Sequence, residues 1–315
     1  EMPKRLAPLL ESAAEDAADG TLASLLHPLQ AALRRFRRRE MVRVIWRDLA
    51  ELAPLAETLE DLSELADACV GATLERVYAW GCAEMGTPRD PAGEPQPLVV
   101  LGMGKLGARE LNLSSDIDLI FAFPRHGNTD GRRQLSNEQF FTRVCQRLVK
   151  VLDAQDSDGF VFRVDMRLRP YGESGALVHS FAALESYYQE QGRDWERYAM
   201  IKARVIAGHT SAGKEVYDML RPFVFRRYLD YGAFAALREM KPGTDSATMR
   251  EQVVSAWTIQ RERFGYDSTV TNGRMSSRDI RKYARIDAAG ERILRQAVSE
   301  LGLSARAHDK VLRVA

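Results

Sequence analysis

The hydrophobic pattern of this chain changes its period twice, and this change constrains the fold more than any other feature. Up to about residue 86, Leu, Ala and Val recur at spacings of three and four, which is typical of amphipathic helices. Short apolar runs at Leu98–Leu101 and Ile117–Phe123 then predict buried strands. The helical period returns from Ala182 to Val205 and continues to Met240. Interleaved strands and helices predict that the middle of the chain is an α/β or an α+β domain.

Four further segments complete the predicted middle domain. Residues Asn137–Leu152 have helical periodicity, whereas Phe160–Leu168 alternates, is rich in Val and Phe, and predicts a third strand. Gly86–Pro97 has four prolines and two glycines and predicts a linker, and the polar stretch Arg125–Arg133 predicts an exposed loop. A second break at residues 241–244 leads to three predicted domains. They are an N-terminal helical region (1–86), a sheet-containing domain with trailing helices (87–240), and an all-α bundle (241–315).

Composition excludes several classes of protein. The net charge of +1 gives no global preference for nucleic acid, and no apolar run reaches the roughly 18–20 residues that span a bilayer. Three cysteines without CxxC spacing argue against a zinc site or a disulfide framework. The acidic, alanine-rich start lacks the pattern of a signal peptide. We therefore expect a cytoplasmic protein with no nucleic-acid or membrane partner; its first residue is Glu, which suggests a fragment.

A basic run, Arg34-Arg-Phe-Arg-Arg-Arg39, lies within one predicted helix. Its simplest interpretation is a solvated helix face. The functional alternative is a docking surface for an acidic partner or a phosphate.

The strand that begins after Ser114-Ser115 carries the carboxylate pair Asp116-x-Asp118. Side chains two apart on a strand point to the same side, so these carboxylates repel each other unless a pKa rises or a divalent cation joins them. Hard cations such as Mg²⁺ take oxygen ligands and leave positions open for phosphate. Alone, the pair is weak evidence, because two exposed acids on an edge strand have the same pattern.

Two neighbouring motifs strengthen the prediction. Upstream, Gly102-Met-Gly104-Lys105-Leu-Gly107 offers backbone N–H groups and one cation to a phosphate, yet it is neither a Walker A motif nor a dinucleotide-binding loop. Downstream, the predicted third strand places three arginines and Asp165 on one face, which is poor core material. A site in which Asp165 completes a metal cage and the arginines hold phosphate explains this face; a solvent-exposed strand is the alternative.

A glycine turn, a DxD strand and a third Asp on a neighbouring strand resemble the plan of the nucleotidyltransferase superfamily, which includes DNA polymerase β. This resemblance implies an α+β fold in which a mixed sheet is flanked by the N-terminal helical region and the C-terminal all-α bundle. Here Gly104-Lys105 stands where that superfamily usually has Gly-Ser. Longer stretches resemble bacterial glutamine synthetase adenylyltransferase over about residues 1–240, above all Leu101–Phe121, Phe160–Gly175 and Gln189–Arg204. Members of that family carry two related halves, one adding AMP and one removing it. The segments Ser114–Phe121 and Gly192–Arg204 resemble the AMP-removing half.

The resemblance implies a reaction and a set of site residues. The reaction is phosphorolysis of an AMP–tyrosine bond on glutamine synthetase, which gives ADP, with ADP or ATP as nucleotide ligand and two Mg²⁺ ions as cofactors. It implies that Asp116, Asp118 and Asp165 bind the metal ions. It also implies that five residues contact phosphate or nucleotide: Gly104, Lys105, Ser115, Arg167 and Arg169. The family also responds to the PII signal protein, so PII is a possible second partner.

After Met240 the sequence departs from this family. The segment 246–315 resembles the C-terminal helical lid of magnesium-chelatase-like AAA+ ATPases, including Leu301-Gly-Leu-Ser-Ala-Arg306. In such lids the equivalent of Arg306 reaches the γ-phosphate of ATP, but this chain has no Walker A or Walker B motif. We expect a folded helical appendage. Two alternatives for the whole chain stay open: adenylyl transfer from ATP to the tyrosine, and a catalytically silent interaction module.

Overall fold

A computed structural model of the chain describes residues 2–15, 22–225, 246–265 and 282–283. Three helices come first: α1 (Met2–Glu15), α2 (Leu22–Leu49) and α3 (Leu55–Met85). The middle of the chain then follows as β1 (Pro88–Arg89), β2 (Val99–Gly102), α4 (Gly104–Gly107), β3 (Ile117–Phe123), β4 (Asn128–Thr129), α5 (Asn137–Asp153), β5 (Val164–Asp165), β6 (Val178–Ser180), α6 (Phe181–Glu190), α7 (Asp194–Ile201), β7 (Arg204–Gly208) and α8 (Thr210–Val224). The fold is therefore mixed α+β, as predicted.

The main sheet has five strands in the order β5-β3-β2-β7, and β6 also pairs with β3. Strand β2 runs antiparallel to β3 and β7, whereas β5 and β6 run parallel to β3. The sheet is thus mixed, in agreement with the prediction. Because β5 pairs with the first residues of β3 and β6 with the last, the chain between them leaves the sheet edge and returns to it.

The two faces of the sheet belong to two hydrophobic clusters. Ile117, Leu119 and Phe121 of β3 pack with α1, α2, α3 and α5. Ile120 and Ala122 pack on the other face with α6 and α8. This strict alternation is what period-two patterning requires of a strand that is covered on both sides. The N-terminal helices therefore share a core with the sheet.

Several predicted element boundaries were wrong. Strand β7 starts at Arg204, inside the stretch predicted as helix. The predicted third strand, Phe160–Leu168, is reduced to β5, because the Asp165 carboxylate accepts the Arg167 backbone N–H at 2.8 Å and turns the chain. The predicted linker and exposed loop contain β1 and β4, which pair with each other in an antiparallel ladder.

The basic run of α2 is only partly a solvated face: Arg35, Arg38 and Arg39 are exposed, whereas Arg34 and Arg37 are held against other parts of the chain. Arg34 is 5% exposed, pairs with Asp156, and donates to the Ala154 carbonyl at 2.6 Å. The guanidinium of Arg37 lies 5.3 Å from the ring centre of Phe160. The run thus fastens α2 onto the segment that leads from α5 to β5.

Residues Glu1–Arg238 form one compact unit and Glu239–Ala315 another. In the second unit, α9 (Ser246–Phe264) is a helix, and the Phe264 and Tyr283 rings meet edge to face at 5.6 Å. The predicted all-α bundle lies mostly outside the described residues, as do Arg306 and the break at 241–244. The domain boundaries at 86/87 and 240/241 stay predictions. Within the described parts of the chain, no helix combines the length and apolarity that a membrane crossing requires.

A carboxylate-lined candidate active site

Asp118 is the second residue of β3, and Asp116 directly precedes the strand. Because Ile117 and Leu119 are fully buried against the α3–α5 side, Asp118 projects from the opposite face of the sheet. The side chain is half-buried there. The Asp118 carboxylate therefore lies on the sheet surface, and the Asp116 carboxylate lies just before the start of β3.

Asp165 is brought to the same place by strand pairing. In the parallel ladder between β3 and β5, Asp165 is the register partner of Asp118, and Val164 is the partner of Ile117. Residues in register on neighbouring strands share a face of the sheet. Two carboxylates that are 47 positions apart in the chain thus become direct neighbours.

The pKa of Asp118 reflects this crowding of carboxylates. Burial raises the pKa of Asp118 above its ordinary value, and the negative charges of Asp165 and Asp116 raise it further. The charge of Arg167 acts in the opposite direction but does not outweigh them. A like-charge cluster with a raised pKa is the arrangement that a bound cation would relieve.

The two outer carboxylates are held by arginines. Arg163 donates from Nε to Asp116 at 2.5 Å and from Nη2 to the Ser114 carbonyl at 2.7 Å. Arg167 donates from Nε to Asp165 Oδ2 at 2.8 Å, and this hydrogen bond lowers the pKa of Asp165. Among the described residues, no three His, Cys, Asp or Glu side chains form a group that could hold a metal ion.

The glycine turn lies against Asp118. The Met103 N–H donates to the Asp118 carbonyl at 2.9 Å, and Gly104 begins the short helix α4 with φ of +54°. A Cβ on Gly104 would lie 2.9 Å from Asp118 Oδ2. Only glycine fits both the backbone conformation and this close approach. Lys105 follows directly and is half-buried.

The remaining predicted phosphate contacts have protein partners. Ser115 donates its hydroxyl to Asn112 Oδ1 at 2.6 Å. Arg169 donates to the carbonyls of Met166, Glu173 and Gly175 at 2.6, 2.9 and 3.3 Å, and so closes the loop after β5. The structure thus brings Asp116, Asp118, Asp165 and Gly104 together. The metal-binding roles of the three aspartates stay predictions, as do the phosphate-binding roles of Gly104, Lys105, Ser115, Arg167 and Arg169.

Sequence reasoning missed one structural support of the site. Arg204 of β7 contacts Asp67 of α3 and the carbonyls that end α4. No local motif links residues that lie 137 positions apart, so only the folded sheet shows this contact.

The mixed sheet, with carboxylates along two adjacent strands and a glycine turn beside them, has the layout of a nucleotidyltransferase domain. Comparison with known families agrees. Glutamate–ammonia ligase adenylyltransferase matches residues 2–219, and the C-terminal part of magnesium chelatase subunit ChlI matches residues 243–315. The first match covers more than half of the chain. The chain therefore belongs to the glutamate–ammonia ligase adenylyltransferase family.

Individual relatives point the same way. The bifunctional glutamine synthetase adenylyltransferase/adenylyl-removing enzyme of Pseudomonas aeruginosa is 60% identical over 241 residues, which is 76% of this chain and 24% of the relative. The protein of the same name from Nitrosococcus oceani is 61% identical over 215 residues, covering 68% of this chain and 22% of the relative. The chain thus spans about a quarter of the length of the curated relatives that it matches.

Proposed function

We propose that this chain removes AMP from an adenylylated tyrosine of glutamine synthetase by phosphorolysis, releasing ADP, and so regulates nitrogen assimilation. The observation that carries the proposal is the gathering of Asp116, Asp118 and Asp165 beside the Gly104 turn. The curated relatives are named as glutamine synthetase adenylyltransferase/adenylyl-removing enzymes. Within that pair of activities, the segments Ser114–Phe121 and Gly192–Arg204 favour AMP removal.

The donor set fits magnesium. Three carboxylates supply the oxygen ligands that a hard cation takes, and the raised pKa of Asp118 marks a charge imbalance that a cation corrects. We assign Asp116, Asp118 and Asp165 as the ligands, which requires Arg163 and Arg167 to release the outer two. Bound Mg²⁺ would stabilise the negative charge that develops on the attacking and leaving oxygens.

The protein residues orient the reactants around this cluster. We assign the backbone N–H groups at the start of α4 and the Lys105 ammonium to the phosphate oxygens. The absence of a Cβ on Gly104 lets this turn approach the Asp118 carboxylate closely. Arg167, once released from Asp165, donates two parallel hydrogen bonds that suit a phosphate. Inorganic phosphate is already an anion at neutral pH, so the attack on the adenylyl phosphorus needs no strong general base.

The test mixes the full chain with adenylylated glutamine synthetase, inorganic phosphate and Mg²⁺ and follows ADP. The expected result is phosphate-dependent ADP formation that Asp116→Asn abolishes and that EDTA stops. No ADP above the Asp116→Asn background contradicts the proposal. Labelling of unmodified glutamine synthetase from ATP would instead assign adenylyl transfer to this site. If the chain showed neither activity, it would be assigned as a catalytically silent interaction module.

The partners of the whole family are carried over as proposals as well. We expect this chain to act in the cytoplasm and to bind the PII signal protein in addition to glutamine synthetase. A pull-down of purified PII by the full chain, in the presence of ATP, tests the second partner directly. If PII is not captured, we would assign PII binding to regions of the relatives outside the part that this chain matches.

A further inference from the structure

Tyr171 has a backbone conformation that bulky residues rarely adopt. Its φ is 60° and ψ is 13°, and the next residue, Gly172, has φ of 57°. Two consecutive left-handed residues turn the chain sharply in the loop between β5 and β6. A tyrosine held in this region needs its surroundings to impose the strain, and such outliers are concentrated at functional positions.

The loop supplies that constraint. Arg169 holds the carbonyls of Met166, Glu173 and Gly175 with one guanidinium, and the Gly172 N–H donates to the Arg169 carbonyl at 2.8 Å. Ser174 donates its hydroxyl to the Tyr171 carbonyl at 2.8 Å. The turn is therefore closed on both sides of Tyr171, and the backbone from which its side chain projects is held in place.

The ring of Tyr171 is exposed but supported from below. It is 54% exposed, and its one ring contact in the described structure is with Tyr187, at 4.6 Å between centroids and 65° between planes. Tyr187 is 9% exposed and donates its hydroxyl to Glu196 at 2.7 Å, and Glu196 is 4% exposed. Tyr187, which is buried and hydrogen-bonded, thus supports the solvent-exposed ring of Tyr171.

The ring of Tyr171 lies on the side of the sheet from which Asp118 projects. Asp118, Ile120 and Ala122 alternate along β3 and project to one side. Tyr187 packs in the same cluster as Ile120 and Ala122. The loop that carries Tyr171 begins directly after Asp165, and Glu173 acts electrostatically on Arg167, so the loop returns towards the carboxylates. Six residues reach at most about 20 Å from Asp165, and the turns of the loop shorten that distance.

We propose that Tyr171 is the stacking surface for the adenine base of the nucleotide, with the phosphates on the carboxylate cluster. This inference rests on the proposed function, which makes ADP a product of the site. A purine presents a flat π-face that a fixed, exposed ring binds without hydrogen-bond readout. The strained turn fixes the backbone of Tyr171 and the contact with Tyr187 restricts its ring, so less side-chain freedom is lost on binding.

The experiment measures the binding of ADP, and separately of pyrophosphate, to the full chain with Mg²⁺ by calorimetry. Tyr171→Ala should weaken ADP binding about tenfold, which is about 1.4 kcal/mol, and leave pyrophosphate binding unchanged. Tyr171→Phe keeps the ring and should bind ADP like the unmodified chain. Tyr171→Gly relieves the backbone strain but has no ring, so it should match Tyr171→Ala. The matched control is Tyr217→Ala, since Tyr217 is 52% exposed on α8.

Each other outcome overturns the inference. Equal loss of ADP and pyrophosphate would mean that the variant disturbs the phosphate site through the loop. Unchanged ADP binding with a raised KM for adenylylated glutamine synthetase would assign the ring to the protein substrate. The ADP and pyrophosphate titrations need no glutamine synthetase turnover, so a failure of the proposed reaction and a failure of the stacking role are read separately.

Discussion

Arg204 and Asp67 form a two-pronged ion pair that ties α3 to the last strand of the sheet. Nη1 lies 2.7 Å from Asp67 Oδ2, and Nη2 lies 3.1 Å from Oδ1. The same guanidinium donates to the carbonyls of Leu106 and Gly107 at 3.0 and 3.2 Å. One side chain therefore holds the C-terminal end of the short helix whose first residue touches Asp118. Arg204 is a candidate positioning residue for the glycine turn.

Replacing Arg204 with Lys keeps the charge but removes the planar fork, so α4 loses its anchor. We predict that Arg204→Lys raises the KM for phosphate several-fold and leaves the KM for adenylylated glutamine synthetase unchanged. Arg204→Met leaves Asp67 without its partner in a partly buried site and should also cost about 2 kcal/mol of unfolding free energy. Steady-state kinetics and urea denaturation separate the two effects. If Arg204→Lys left the KM for phosphate unaltered, Arg204 would have a structural role only and would not position the glycine turn.

Asp118→Asn should change activity and stability in opposite directions. Burial and the charges of Asp165 and Asp116 raise the pKa of Asp118, so the fold disfavours the ionised carboxylate, and the neutral amide should stabilise the metal-free chain at neutral pH. Phosphorolysis should fall at least about a hundredfold, because a metal ligand is lost. Melting in EDTA and in Mg²⁺ provides the check: Mg²⁺ should raise the melting temperature of the unmodified chain and not that of the variant. A destabilised variant in EDTA would contradict the charge-crowding account.

Gly104→Ala tests the close approach to Asp118. The added Cβ meets Asp118 Oδ2 at 2.9 Å and also sits at a left-handed φ, so both strain and contact penalise it. Gly93→Ala is the matched control, because Gly93 has φ of +90° with nothing within 4 Å of the new Cβ. Both variants should lose about 1 kcal/mol of stability from the backbone. Only Gly104→Ala should lose AMP-removing activity. If the two variants were equally active, the glycine turn would have no part in the reaction.

The acid side of the stability profile should depend on Glu40. This carboxylate is 2% exposed, and although burial opposes ionisation, the hydrogen bond from Arg43 and the charges of Arg43, Arg5 and Arg39 lower its pKa below 4.5. A lowered folded-state pKa contributes stability above pH 4.5 that is lost as the pH falls through the folded value. Glu40→Gln should therefore be less stable at neutral pH and lose less stability between about pH 5 and 3. Urea midpoints measured across this range test it, and parallel acid limbs for the two proteins would contradict it.

The residues that local patterns determine are the ones that were predicted correctly. The apolar run Ile117–Phe123 set both ends of β3, and such a run is typical of a central strand that is covered on both faces. Helix α5 begins where Ser136 and Gln139 form a capping box, and its predicted extent differs by one residue. Strand β7 was missed because Arg204–Gly208 is a short apolar run that continues a helical segment, and only its pairing with β2 decides its conformation.

The amino-acid sequence by itself determined the family to which the chain belongs and singled out the candidate site residues, which are the carboxylates and the glycine turn. Tertiary structure decided how these residues meet. Parallel pairing of β3 with β5 puts Asp165 beside Asp118, and this proximity, together with burial, raises the pKa of Asp118. Contacts across 47 or 137 positions have no local signature, because they depend on which strands and helices become neighbours when the apolar faces are buried.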